Sequence, residues 1–263
     1  MRKTVFALLA LVPFCAFGVD GVVLINQSTV MAAGGFPYTI TQPGSYRLSG
    51  NLTVPDANTT AIQVMTDNVT IDLNGFSIIG PMVCNGFPVT SCSPAATVTR
   101  DAGVDGGTSS NVTVVNGTVR GIGKFGIALG QHGSVERVHV DSNGSIGILI
   151  TRGTVSGNTV TRNFGFGIQC DGCTVSGNTV TDNGGDGIVG AAITVSGNTV
   201  IGNGADGIVA SGAVSGNMSF GNSARGIVLF CPSSAVGNTA SNNIQTNLST
   251  IGTGCAVANN AAP

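Results

Sequence analysis

Tryptophan is absent from this chain of 263 residues, tyrosine occurs twice, and charged residues make up only 8% of it. Typical soluble proteins carry about 25% charge. With ten Lys and Arg against twelve Asp and Glu, there is no basic surface for nucleic acid and no polybasic patch for anionic lipid, so neither partner is expected. Scarce charge combined with 42% hydrophobic residues is not the composition of a disordered chain. Beyond the N-terminus, no segment is long and apolar enough to span a bilayer. What the chain has in quantity is glycine, 41 residues, together with small apolar residues. That mixture suits tightly wound, repetitive β structure, in one large all-β domain or two ordinary ones.

The N-terminus reads as a secretory signal over residues 1–18. Arg2 and Lys3 form the positive start, Thr4 to Phe14 is apolar, and Ala16-Phe17-Gly18 offers small residues for cleavage after Gly18. The competing reading, a membrane anchor, needs a run of ~20 apolar residues. Cys15 as a lipidation site lacks suitable small residues before it, since Val12-Pro13-Phe14 precede it. Export to the periplasm or beyond permits disulfides among the remaining Cys84, Cys92, Cys170, Cys173, Cys231 and Cys255.

Internal repetition dominates the rest. TVSGNTV recurs at Thr154–Val160, Thr174–Val180 and Thr194–Val200, twenty residues apart, with weaker copies from Ser134, Ala213 and Ser234. A Gly-Ile column runs from Gly126-Ile127 to Gly226-Ile227, and an Asn column from Asn143 and Asn163 to Asn222 and Asn242. Short stretches alternate with period two, such as Val160 between Thr159 and Thr161, as strands with one buried face do. The intervening Asn and Gly accept turn conformations. Strands this short, rejoining one register every rung, are turns of a coil in which each strand pairs in parallel with its equivalent one rung on. Equivalent residues then stack ~4.8 Å apart, and buried Asn columns can hydrogen-bond along the stack.

The Asn-x-x-x-x-Asn and Gly-Ile columns, with DNVTIDLNGFSIIG at Asp67–Gly80 and NVTVVNGTVRGIG at Asn111–Gly123, resemble the right-handed parallel β-helix repeat family. That group includes NosD-like periplasmic proteins and pectin-lyase-like enzymes. The resemblance implies an all-β, right-handed, single-stranded parallel β-helix, and right-handed crossovers are the strong general rule. The organisation expected is N-terminal capping strands over 19–60, the coil over 61–242 with a protruding loop at 81–101, and a C-terminal cap over 243–263. An end cap is needed because a coil end exposes unpaired strand edges. No characterised enzyme subfamily is matched: the polygalacturonase motifs Asn-Thr-Asp, Gly-His-Gly and Arg-Ile-Lys are missing. A copper site of a NosD-like kind would need more than His132 and His139.

The register orders the cysteines. Cys84 and Cys92 lie in the loop, Cys170 and Cys173 share inward phases across one turn, and Cys231 and Cys255 fall about one rung apart, so we expect three local bridges. The rival reading of Cys170-Asp171-Gly172-Cys173 is a redox or zinc motif, which would want a helix N-terminus or a second ligand pair.

In a coil packed with its own side chains, chemistry is confined to outward columns and loops. The column before Gly-Ile reads Phe125, Ile146, Phe166, Asp186, Asp206, Arg225. Stacked carboxylates of Asp186 and Asp206 can raise one another's proton affinity or hold calcium, and a spacing near ~5 Å suits retaining glycoside hydrolysis. Arg225 beside them could bind a uronate, and these three are the candidate catalytic residues. The plainer reading is that Asp before Gly is turn chemistry. Phe166, with Phe125 and Phe164, could stack on a sugar ring or simply cover a turn. Arg162 and Asp182 read as a lateral ion pair, and Thr159-x-Thr161 over Thr179-x-Thr181 as exterior strand threonines. Two functions remain: an exported β-helix that binds, or binds and processes, a polysaccharide or cell-surface glycan along one lateral face, or a non-catalytic structural or adhesive surface protein.

Overall fold

A computed structural model describes residues 21–263; the expected signal segment and its cleavage point lie outside the described residues. Each central rung contributes three short strands. Ile148–Thr151, Thr154–Ser156 and Thr159–Thr161 pair in parallel with Ile168–Asp171, Thr174–Ser176 and Thr179–Thr181, which places Ile148 on Ile168, Val155 on Val175 and Val160 on Val180. Repetition of this pairing builds three parallel sheets, here called first, second and third in rung order. The coil makes about 11 turns of ~21 residues and is nearly all β. Among the described residues no helix is long and apolar enough to cross a membrane.

Alternation explains the packing. Ile148, Ile150, Val155 and Val160 are fully buried while Thr154 and Thr159 face solvent. The Gly of the Gly-Ile column is required by close approach: a Cβ on Gly167 would lie 2.5 Å from Val180 Cγ1 and 2.7 Å from the Gly187 carbonyl oxygen.

Two buried asparagine ladders run along the coil. One follows the corner between the third and first sheets through Asn143, Asn163, Asn183, Asn203, Asn222 and Asn243. The other follows the corner between the second and third sheets through Asn158, Asn178, Asn198, Asn217, Asn238 and Asn260. Each link repeats one pattern: Asn163 N and Nδ2 donate to Asn183 Oδ1 at 3.0 and 2.9 Å. These bonds satisfy amide groups that would be costly to bury unpaired. The first ladder runs through Asn243, not the Asn242 of the sequence column, and closes where Asn243 N and Nδ2 donate to Asn247 Oδ1 at 3.3 and 2.9 Å. Asn222 to Asn243 spans 21 residues, and Asn242 instead takes the left-handed corner position with φ 56°.

The ends and insertions differ in detail from a bare repeat. Tyr38–Ile40, Gly44–Leu48 and Leu52–Thr53 are already regular rung strands. What closes the N-terminal end is Val22–Ile25 and a helix, Gln27–Ala32, whose Val30 is fully buried. Asn26 caps that helix by accepting the Thr29 N–H at 3.0 Å, while Thr29 Oγ1 accepts the Asn26 N–H at 2.8 Å. At the other end, Leu248–Ile251 and Ala256–Ala258 extend the first and second sheets.

The segment 81–101 leaves the coil as an antiparallel hairpin of Val83–Asn85 and Ser91–Ser93. It leans back along the corner that carries the first asparagine ladder. Val89 N donates to the Asp182 carbonyl at 3.1 Å, and Asn58 Oδ1 accepts the N–H groups of Thr97 and Val98 at 2.7 and 3.2 Å. Disulfides join Cys84 to Cys92 across this hairpin, Cys170 to Cys173 within one corner, and Cys231 to Cys255 between adjacent rungs.

Candidate functional site

The first sheet lies between two different edges. Along its leading edge, Phe125, Ile146, Phe166, Asp186, Asp206 and Arg225 stack one per rung, held by bonds such as Gly147 N to the Phe166 carbonyl, Gly167 N to that of Asp186 and Gly187 N to that of Asp206. Its outward row reads Ala128, Leu149, Gln169, Val189 and Val209. The hairpin returns to the coil beside the first members of this column. Arg100 there pairs with Asp105 through Nε at 3.1 Å and Nη2 at 2.6 Å, and its guanidinium carbon lies 6.0 Å from the centre of the Phe125 ring.

The two carboxylates differ sharply. Asp206 is buried, and Arg225 reaches back one rung to take both its oxygens, Nε on Oδ1 at 3.0 Å and Nη2 on Oδ2 at 2.7 Å. Asp206 Oδ1 also accepts the Arg225 backbone N–H at 2.8 Å. The fork on Asp206 keeps the Arg225 guanidinium firmly protonated. Asp186 is half-buried, in no ion pair among the described residues, and accepts the Asp206 N–H on Oδ1 at 2.8 Å. Burial raises its proton affinity above that of an ordinary carboxylate, and Asp206 adds to that; the bonded N–H and Arg225 act against it. The arrangement is one titratable acid beside a fixed ion pair. Each Asp side chain also binds the backbone of the next rung, so the turn chemistry expected of Asp-Gly is present as well.

Phe166 is partly exposed in the same column, and Phe164 on that rung is exposed. The Phe166 ring leans over Gly185 on the next rung, one residue before Asp186. The pairing expected of Arg162 is different in the structure. Arg162 reaches to Asp141, on the preceding rung, with Nε–Oδ1 2.9 Å and Nη2–Oδ2 2.8 Å, and Asp182 is left without an ion pair among the described residues. The guanidinium lies within hydrogen-bonding distance of Asp141 and beyond it from Asp182, its own register mate. His132 sits at the corner between the first and second sheets and His139 on the outward side of the third. Among the described residues no three His, Cys, Asp or Glu side chains converge as a metal-binding group.

Asp101 gave no signal in the sequence. It ends the hairpin, is 1% exposed, and accepts the Lys124 N–H on Oδ2 at 3.2 Å while Oδ1 has no hydrogen-bond partner. Burial pushes its carboxyl up to about 6, against the backbone N–H groups of Lys124 and Gly123 that oppose the rise. No motif marks the residue, because its environment exists only once the insertion returns to the coil.

A right-handed parallel coil of this kind is a definite structural class. Residues 18–192 match the family described as right handed beta helix region, and the chain belongs to that family. Among solved structures it is similar to the pectate lyase Pel9A, at 15% identity over 88% of this chain and 70% of that one, with a TM-score of 0.59. The A-module of the Azotobacter vinelandii mannuronan C-5 epimerase AlgE6 is similar at 16% identity over 85% and 73%, with a TM-score of 0.52. So is the periplasmic alginate epimerase AlgG, at 11% identity over 91% and 54%, with a TM-score of 0.51. At such identities the likeness is one of fold. No curated protein sequence matches the chain.

Proposed function

We propose that this protein is an exported β-helix that binds a polysaccharide along the outward face of its first sheet. The observation that carries the reading is the leading edge of that sheet, where the solvent-accessible Phe164 and Phe166 stand one rung before Asp186 and the Asp206–Arg225 pair follows. An extended glycan meets a surface repeating every ~4.8 Å, with ring-stacking groups at one end and hydrogen-bonding groups at the other. Three cystine bridges suit an oxidising compartment, as an export signal requires. The similar folds belong to proteins named for pectate, mannuronan and alginate, which supports a polysaccharide as ligand by analogy of fold.

If the site also processes its ligand, Asp186 is the proton donor or acceptor. Its raised proton affinity is what a general acid near neutral pH needs, whereas Asp206 is committed to Arg225. A binding screen over acidic and neutral glycans, run alongside lyase and hydrolase assays, tests both levels. Binding lost in Phe166→Ala supports the face, and turnover lost in Asp186→Asn with binding retained supports processing.

A second reading is a non-catalytic structural or adhesive surface protein. It is favoured by a specific observation: every carboxylate–backbone bond of the Asp186–Asp206–Arg225 column ties one rung to the next. Blank binding and turnover with every glycan would leave this second reading.

A further inference from the structure

Most described basic side chains are neutralised. Arg47, Arg100, Arg137, Arg162 and Arg225 each pair with an acid. Arg120, Lys124 and Arg152 are in no such pair among the described residues, and Arg152 lines an open cavity of about 550 Å³ at the corner between the first and second sheets, with His132 one rung before it. Both occupy left-handed corner positions, φ 54° and 57°, and the His132 N–H donates to the Arg152 carbonyl at 2.8 Å. This stacks the two side chains at the same outward point of successive rungs. On the following rung the corner residue is Gly172, with φ 70°. It has no side chain, so the stem of Arg152 packs over it, its Cγ 3.1 Å from where a Cβ would stand, and Gly172 joins the cavity lining.

The rest of the lining donates hydrogen bonds or keeps clear. Thr154 and Thr174 line it with their hydroxyl-bearing side chains, and Gly133 and Gly153 add no side chain, their carbonyls accepting the N–H groups of Thr154 and Thr174 at 2.9 and 3.0 Å. The acids nearby are engaged elsewhere: Asp171 Oδ1 accepts the Ala191 N–H at 2.8 Å, and Glu136 is held by Ser134 Oγ at 2.8 Å and by Arg137 at 3.3 Å. A second concavity of about 290 Å³, lined by Gln131, Thr151 and Arg100 among others, adjoins it on the same corner. Together they make a groove of mixed polar and apolar lining, Leu129 and Leu149 included, along the trailing edge of the first sheet, opposite the edge that carries Asp186.

We infer that this corner is an anion-recognition site, with Arg152 as its principal cation, and that it takes the carboxylate of an acidic sugar in the bound chain. An unpaired guanidinium beside hydroxyl donors matches a carboxylate in shape and charge. The inference rests on the polysaccharide reading and narrows its ligand to acidic chains that reach across the first sheet.

The test compares a uronic-acid oligosaccharide with its carboxyl-reduced, neutral counterpart, by calorimetry at low salt. Arg152→Asn is the variant of choice, because Asn tolerates the left-handed φ at this corner; unchanged thermal unfolding certifies the fold. The expected result is tighter binding of the charged ligand, weakened about tenfold in Arg152→Asn and partly retained in Arg152→Lys. Charged ligand bound equally by the parent and Arg152→Asn overturns the anion site and leaves the lateral-face reading intact. Failure of the charged ligand to bind while the neutral one does has the same consequence. Failure of both removes the site and the lateral-face reading together.

Discussion

Arg225 closes on Asp206 from one rung further along the coil, its guanidinium fork on both carboxylate oxygens at 3.0 and 2.7 Å and its backbone N–H on the same Oδ1 at 2.8 Å. The Asp206 side chain is only 10% exposed, so removing the arginine strands a nearly buried carboxylate. Arg225→Ala is expected to cost about 1–3 kcal/mol, less than a fully buried pair because Arg225 itself is partly exposed. Arg225→Lys should recover little, since lysine cannot make the fork. Chemical denaturation of the three proteins checks this.

The same contact governs Asp186. Arg225 lowers its proton affinity while burial and Asp206 raise it. Carboxyl NMR should therefore find Asp186 titrating higher in Arg225→Ala than in the parent. Arg225 occupies both Asp206 oxygens that the expected calcium site would use. Millimolar calcium is expected to leave the parent's melting temperature unchanged and to raise that of Arg225→Ala.

Asp101 gives the pH dependence. Its carboxyl is raised from 3.8 to about 6 in the folded protein, so the fold holds a proton that the unfolded chain releases. The stability this contributes is complete below the unfolded value and is lost as pH rises through the folded one. Asp101→Asn keeps an acceptor for the Lys124 N–H and removes the buried charge. It should match the parent near pH 3 and exceed it by as much as about 3 kcal/mol at pH 8. Equal stabilities at both pH values would remove the explanation.

Two neighbouring asparagines separate ladder from corner. Asn243 accepts Asn222 N and Nδ2 at 3.0 and 2.8 Å and donates to the Ser219 carbonyl at 3.1 Å. Asn243→Ala should cost about 2–4 kcal/mol by leaving buried amides unpaired. Asn242→Gly, at φ 56°, should stay within about 0.5 kcal/mol of the parent. Urea unfolding of the pair decides.

That pair also marks how far the sequence reaches. Columns such as Val155–Val175 and Gly147–Gly167 are legible because each rung there is twenty residues long and one face is buried. Asn242 was misplaced because its rung has one residue more, and identity of residue type concealed the slip. The helix Gln27–Ala32 is too short for its periodicity to register, and Tyr38–Leu48 lacks the Gly-Ile column that announces a rung. At the candidate site, the order Asp186, Asp206, Arg225 was readable from spacing. The difference between the carboxylates was not, because it follows from a side chain reaching backward along the stack, as Arg162 also does toward Asp141. Arg152 and His132 left only the traces Thr-Arg-Gly and Gln-His-Gly, and their meaning depends on Gly172 making room at the next corner for the Arg152 stem.

The central claim is that glycan lies on the first sheet, and the chain's lack of tryptophan makes it directly measurable. Gln169→Trp places a sole indole in the outward row of the first sheet, and Thr179→Trp places one on the third. Each variant is titrated with pectate, alginate and a neutral β-glucan while indole emission is followed. The account predicts a saturable shift in Gln169→Trp with at least one acidic polymer and none in Thr179→Trp. A shift confined to Thr179→Trp, or silence in both with all three polymers, would contradict it.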